Sequence, residues 1–304
     1  MCAPNLARGF DLQGHRGARG LAPENTLIGF QRALAEGVST LELDIGVTRD
    51  AVAVIHHDNA LNPNLARDES GAWIAAPIPI SSLSLRELRG FDVGRMRPGS
   101  DYAARYPAQQ AHDGQTVPAL ADLFRMVRAQ GNLTVRFNIE TKVSPLAPAA
   151  TANPKKMVDA IGREVRRHAM HGRVSLQSFD WRTLALAQRQ RPALQTVYLS
   201  VRAPWLDNID PRWNNGMRLA DHGSIPRMVK AAGGAAWSPF HADLLATEVA
   251  EAQALGLKVI PWTVNLPADM ERMLDLKVDG LITDRPDQAR RLLQERRIEI
   301  RANP

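Results

Sequence analysis

The sequence contains one cysteine, Cys2, in 304 residues, which rules out an internal disulfide and leaves the redox compartment unmarked. No apolar run approaches the roughly 20 residues that a membrane-spanning helix needs, and no short repeat or low-complexity tract interrupts the chain. A signal-peptide pattern is missing too, as expected of a cytoplasmic protein or of a mature form whose targeting segment has been removed. Hydrophobic residues nevertheless reach 44 %, enough for a sizeable core, and the expectation is a soluble protein. The net charge of +6 comes mostly from arginine and favours acidic partners such as phosphate esters or an anionic membrane surface. Basic residues are spread along the chain, and the short clusters at 163–167 and 290–297 fall in amphipathic helices, so a nucleic acid is not the expected partner. The basic charge leans the expected location to periplasmic or secreted, with cytoplasmic as the alternative.

The chemistry concentrates between Gln13 and Asp58, where His15-Arg16-Gly17, Pro23-Glu24-Asn25-Thr26, Glu42-Leu43-Asp44 and His57-Asp58 follow one another. From Thr40 to Val47 the apolar residues Leu41, Leu43, Ile45 and Val47 alternate with Glu42 and Asp44. The period of two that defines a strand puts both carboxylates on one face.

At these residues the chain resembles the glycerophosphodiester phosphodiesterase family, whose pattern runs from His-Arg-Gly through Glu-Asn-Thr to Glu-x-Asp and His-Asp. The resemblance continues at Asn138-Ile139-Glu140-Thr141-Lys142, Gln177-Ser178-Phe179-Asp180, Trp262-Thr263-Val264-Asn265 and Asp279-Gly280-Leu281-Ile282-Thr283-Asp284. It covers nearly the whole chain apart from residues 60–117. One departure is a turn where the family often carries Gly after Asp; here Asp50 is followed by Ala51.

In chain order, a strand at Phe10–Gln13 leads through a glycine-permitted turn to a helix expected from about Asn25, with Asn25 as its cap and Gly37 at its end. Strands follow at 40–47 and 52–55. From 59 to 117 periodicity fades while Pro, Gly and Arg increase, as expected of a lid-like insertion with one short helix at Ser84–Arg89. The remainder alternates strand and helix, including a strand over Lys258–Val264. About eight such units make one domain over residues 1–304, a closed (β/α)8 TIM barrel in preference to a doubly wound sheet.

In that fold the carboxyl ends of the strands carry the site, and His15, Glu42, Asp44, Glu140 and Lys142 all fall there. Three converging carboxylates repel one another unless compensated. A divalent cation held by Glu42, Asp44 and Glu140 supplies compensation, and all-oxygen ligation points to Mg2+ or Ca2+ in preference to zinc. The resemblance implies that His15 and His57 are the acid and base, and that Arg16 and Lys142 hold the phosphate. His56 would point away from its neighbour on a strand and reads as structural. Glu24 and Asn25 read equally as helix N-terminal residues or as supports of the site, and Phe179 and Trp262 as an apolar wall for the glycerol unit.

The resemblance implies hydrolysis of a glycerophosphodiester to glycerol 3-phosphate and an alcohol, either through attack of the glycerol 2-hydroxyl and a cyclic phosphate or by direct attack of water. A related phospholipase D acting on lysophospholipids or sphingomyelin is one alternative. A non-catalytic phosphoester binder is another, disfavoured because a binder has no use for a paired acid and base. The oligomeric state is left open by the sequence.

Overall fold

The structure, a computed structural model, describes residues 9–301, so Cys2 lies outside the described residues. Eight strands form the barrel, in chain order: β1 (Asp11–Gly14), β2 (Thr40–Val47), β3 (Arg136–Thr141), β4 (Val174–Ser178), β5 (Gln195–Ser200), β6 (Ala236–Pro239), β7 (Lys258–Val259) and β8 (Gly280–Thr283). Each pairs in parallel with its successor up to β7, and β8 pairs in parallel with β1. The seam between β7 and β8 is closed by Val264 N donating to Ile282 O and Ile282 N donating to Pro261 O, both at 2.9 Å. The expected (β/α)8 barrel is therefore the fold. The expected strand over Lys258–Val264 forms a regular ladder only at its first two residues. Pro261 has no N–H to donate, which interrupts the pattern.

Strand periodicity decides what faces the barrel interior. In β2, Leu41, Leu43, Ile45 and Val47 are buried in the main hydrophobic core, while Glu42 and Asp44 are equally buried but take part in a polar cluster. The register of β2 on β3 sets Asp44 beside Glu140, and that of β3 on β4 sets Glu140 beside Gln177. Two parallel ladders thus carry acidic and amide groups to one height in the barrel.

The first helix, α1 (Leu27–Ala35), buries Gly29, Phe30 and Ala33, and burial of the Phe30 ring contributes about 1.5–3 kcal/mol. Its cap is Thr26, whose hydroxyl accepts from Gly29 N at 3.1 Å, and not the expected Asn25. Asn25 adopts a left-handed backbone with φ 54°, which Asn tolerates better than most residues, and its amide serves the site. Gly17, at φ 86°, lies so close to α1 that an added Cβ would meet the Gly29 carbonyl carbon at 2.7 Å. The loop between β1 and α1 is therefore pressed against the helix it precedes.

The stretch 59–117 is more ordered than its sequence suggests. Leu61, Ala66, Ile74, Ile80, Leu88 and Val117 form a small core of their own with Val54. Around it lie a two-stranded pair, Ala60–Leu61 with Ile78–Pro79, and helices at Leu85–Leu88 and Asp101–Arg105. Short apolar runs spaced by loops gave no period to read, yet they converge once Ala53–Ile55 pairs antiparallel with the end of β2. The segment flanks the barrel mouth, where Leu65, Val93 and Met96 pack near His57, and no side chain from it lines the central cavity.

Candidate active site

At the carboxyl end of the barrel, a cavity of about 200 Å³ is lined by His15, Arg16, Glu42, His57, Glu140 and Lys142, with Phe179 and Trp262 as its apolar wall. Glu42 lies within β2, and the others come from a strand's carboxyl end or the loop that follows it. His15 is the first residue past β1 and is fixed there by its N–H, which donates to Thr283 O at 2.9 Å. His57 stands two residues past the short strand Ala53–Ile55.

Glu42, Asp44 and Glu140 each offer an oxygen within 4.8 Å of the others, and all three are buried. Their surroundings differ. Arg16 N donates to Glu42 Oε2 at 2.9 Å and Gln177 Nε2 to Glu42 Oε1 at 2.7 Å. Asn25 Nδ2 donates to Asp44 Oδ2 at 2.9 Å, and Lys142 Nζ donates to Glu140 Oε1 at 2.6 Å. Burial, together with Asp44 and Glu140, pushes the Glu42 carboxyl well above the usual carboxylate range. Burial likewise raises Glu140 to about 7, against the opposing pull of Lys142. For Asp44 burial is outweighed by Lys142, His57 and Arg16, which hold it well below that range.

This set fits a divalent cation on grounds other than the acids alone. Asp44 Oδ1 and Asn25 Oδ1 are buried acceptor oxygens with no hydrogen-bond donor. Lys142 Nζ lies 3.1 Å from Asp44 Oδ1 but off the angle of a hydrogen bond, so that oxygen keeps an open lone pair. Buried acceptors without donors are costly, and hard oxygen donors at such spacing suit Mg2+ or Ca2+.

Both histidines line the cavity and each has Nδ1 bound to a carboxylate. His15 Nδ1 donates to Asp284 Oδ1 at 2.7 Å, since an ionised carboxylate can only accept, and its Nε2 is left 3.9 Å from Glu42 Oε2. Burial lowers the His15 pKa to about 4, the attraction of Asp284 notwithstanding. His57 Nδ1 is bound in the same way to Asp58 Oδ1 at 2.6 Å. Burial and then Arg16 and Lys142 lower the His57 pKa, but its side chain is 32 % exposed against 12 % for His15, so water moderates the shift. His56 is buried, with Nδ1 2.9 Å from Asp58 O, as a structural histidine would be. Glu24 is no helix-terminal residue: it accepts from Arg16 Nη1 at 2.7 Å. Phe179 and Trp262 meet edge to face with centroids 5.1 Å apart.

Sequence reasoning gave no role to Asp284, Arg19 or Gln177. Asp284 is buried at the end of β8 and accepts from Arg19 Nε at 2.8 Å, Arg19 Nη2 at 2.9 Å and Asn265 Nδ2 at 2.7 Å as well as from His15. Burial would raise its pKa, but Arg19 and His15 hold it far below the carboxylate range. An acid at the carboxyl end of a barrel strand was the available signal.

A profile of the glycerophosphoryl diester phosphodiesterase family matches residues 15–288. The chain is 26 % identical over 274 residues to a glycerophosphodiester phosphodiesterase of Caldanaerobacter subterraneus, covering 90 % of this chain and 93 % of that one. Among solved structures, a provisionally named glycerophosphoryl diester phosphodiesterase of Silicibacter pomeroyi superposes with a TM-score of 0.86 at 36 % identity, over 98 % of this chain and 96 % of its own. An Oleispira antarctica phosphodiesterase, in complex with the product sn-glycerol-3-phosphate, shares the fold with a TM-score of 0.68 at 19 % identity, over 94 % of this chain and 97 % of its own. A match that begins at the histidine after β1 and ends just past the aspartate after β8 spans every residue of the cluster, and on that extent the chain belongs to the glycerophosphoryl diester phosphodiesterase family.

Proposed function

We propose that the protein hydrolyses glycerophosphodiesters to sn-glycerol 3-phosphate and an alcohol, with His15 and His57 as acid and base. The observation that carries this reading is the convergence of a buried carboxylate triad, of which Glu42 and Glu140 line the cavity, with Arg16, Arg19, Lys142 and two carboxylate-bound histidines. The name of the Caldanaerobacter relative and the product in the Oleispira structure support the substrate class.

Glu42, Asp44 and Glu140 would hold one divalent cation, Mg2+ or Ca2+, which when bound supplies Lewis-acid charge at a phosphoryl oxygen. Arg16 presents a planar fork and Lys142 a point charge to the remaining phosphoryl oxygens, where negative charge grows in the transition state. With Nδ1 tied to a carboxylate, each histidine keeps Nε2 as the atom that takes or gives a proton. The lowered pKa of His15 keeps it neutral at pH 7, the form a base requires. Acid and base catalysis contributes about 3–5 kcal/mol per group against the roughly 8–23 kcal/mol that enzymes remove, so the cationic groups must supply much of the rest. Phe179 and Trp262 give the glycerol carbons an apolar wall.

The test is release of glycerol 3-phosphate from glycerophosphocholine by metal-stripped protein with Mg2+ or Ca2+ restored, beside a His15→Ala control. Release that needs the metal and disappears in the control is the expected result. Silence with either cation, on this substrate and on lysophospholipid, would return the protein to the class of phosphoester binders.

A further inference from the structure

The central cavity does not end at Lys142. A wider groove of about 560 Å³ opens from it, and the two share His57, Glu140, Lys142, Phe179 and Trp262 as a common wall. Past that wall the lining changes character. Of its charged side chains, His57, Glu140 and Lys142 belong to the shared wall and Asp58 adjoins His57; Asn59, Ser144 and Thr151 add neutral polar groups, and Trp205, Leu206 and Trp213 form an apolar side.

Trp205 sits at the turn between two short antiparallel strands, Arg202–Ala203 and Leu206–Asp207, that follow β5. It is 61 % exposed, and an indole left in water invites an explanation where a lone exposed leucine does not. Its ring meets Trp262 edge to face at 6.3 Å and Phe240 at 5.6 Å, which extends the aromatic wall of the cavity outward from Phe179. The hairpin is anchored to that wall: buried Asn208 donates to Phe179 O at 3.1 Å and Leu199 O at 3.0 Å, and accepts from Val201 N at 2.9 Å. Trp205 is therefore held in register with the cavity on which it borders.

A phosphodiester carries two substituents, and when one lies in the central cavity the other must leave through an opening beside His57 and Lys142. We infer that the groove is the subsite for the departing alcohol and that it takes an uncharged apolar body, an alkyl chain or aryl ring, in preference to a small polar headgroup. This rests on the hydrolase reading above. Apolar binding surface of this kind discriminates by roughly 10–200-fold, and Trp205 is its outermost large element.

The experiment compares kcat/KM of the metal-supplemented enzyme on three glycerophosphodiesters, whose alcohols are octanol, glycerol and choline. Trp205→Ala is expected to lower the octyl-to-glyceryl ratio about tenfold or more, and Trp205→Phe to retain most of it. Leu133→Ala, at an exposed leucine on the loop entering β3, is expected to leave the ratio where it was. Turnover of all three esters with a ratio unmoved by Trp205→Ala overturns the inference alone, as does a loss confined to the choline ester, which would mean recognition of a cation on aromatic faces. No turnover of any ester by the unmodified enzyme overturns the hydrolase reading and the inference with it.

Discussion

His15 and Asp284, 269 residues apart in sequence, share a 2.7 Å hydrogen bond across the line where the first and last strands of the barrel meet. The bond fixes which nitrogen of His15 carries a proton, and Arg19 and Asn265 hold the carboxylate from its other sides. Asp284→Asn would keep the shape but offer either the wrong atom or a weaker acceptor. The expected result is a fall in kcat of about 10²- to 10⁴-fold with a much smaller change in KM. Equal losses in both, or none, would sink the orienting role.

Metal and pH act on stability together. Without metal, Glu42 and Glu140 titrate above their ordinary value of 4.5, Glu140 near 7. A raised folded-state pKa gives stability that is present in full below the unfolded value and lost as pH rises through the folded one. The metal-free protein should therefore lose stability between about pH 4.5 and pH 7 and above on account of these two groups. A cation bound as proposed would replace the protons. The rise in Tm on adding saturating Mg2+ or Ca2+ should be larger at pH 8 than at pH 5.5, and thermal melts showing the same rise at both would contradict this account.

Tyr102, on the short helix Asp101–Arg105 of the flanking segment, donates its hydroxyl to Glu24, which in turn holds Arg16. Tyr106 stacks under the Arg19 guanidinium at 4.7 Å, and Gln109 Nε2 donates to Arg19 O at 2.6 Å. The segment thus braces both arginines from outside the cavity. Tyr102→Phe is expected to cost about 1–3 kcal/mol of stability by leaving Glu24 short of a donor. Steady-state kinetics should show a rise in KM larger than the fall in kcat.

Ala51 stands at φ 61° in the turn after β2, a left-handed conformation that costs a residue with a Cβ about 1–2 kcal/mol. Ala51→Gly should recover part of this, about 1 kcal/mol after the added chain entropy of glycine. Urea denaturation reads the gain as a higher midpoint with an unchanged slope. A lower midpoint would mean that the turn is not strained at this position.

The legible parts of this protein were those written in local periods. Alternation over Thr40–Val47 exposed the pair Glu42 and Asp44, and the barrel rule carried Glu140 and Lys142 to the same end. Asn25 was misread as a cap because Thr26 beside it is also a capping residue, and only the backbone at φ 54° separates them. The core of residues 59–117 escaped because Leu61, Ile74, Ile80 and Leu88 meet through loops rather than along one helix or strand. Asp284 carried the signal of an acid at a strand end, but its pairing with His15 is set by closure of the barrel, which no window of sequence contains.

That closure bears on the order in which the molecule becomes competent. Ribosomal synthesis delivers Glu42, Asp44, Glu140 and Lys142 before β4 to β7, whereas β8 and Asp284 emerge only after them. Until they do, β1 has only one of its two neighbours and the His15 ring has no carboxylate to set its proton. Contacts of such long sequence separation are also the slow ones to form. A nascent chain therefore holds the three carboxylates of the cluster, and His57 with its neighbour Asp58, well before it holds an oriented His15 ring.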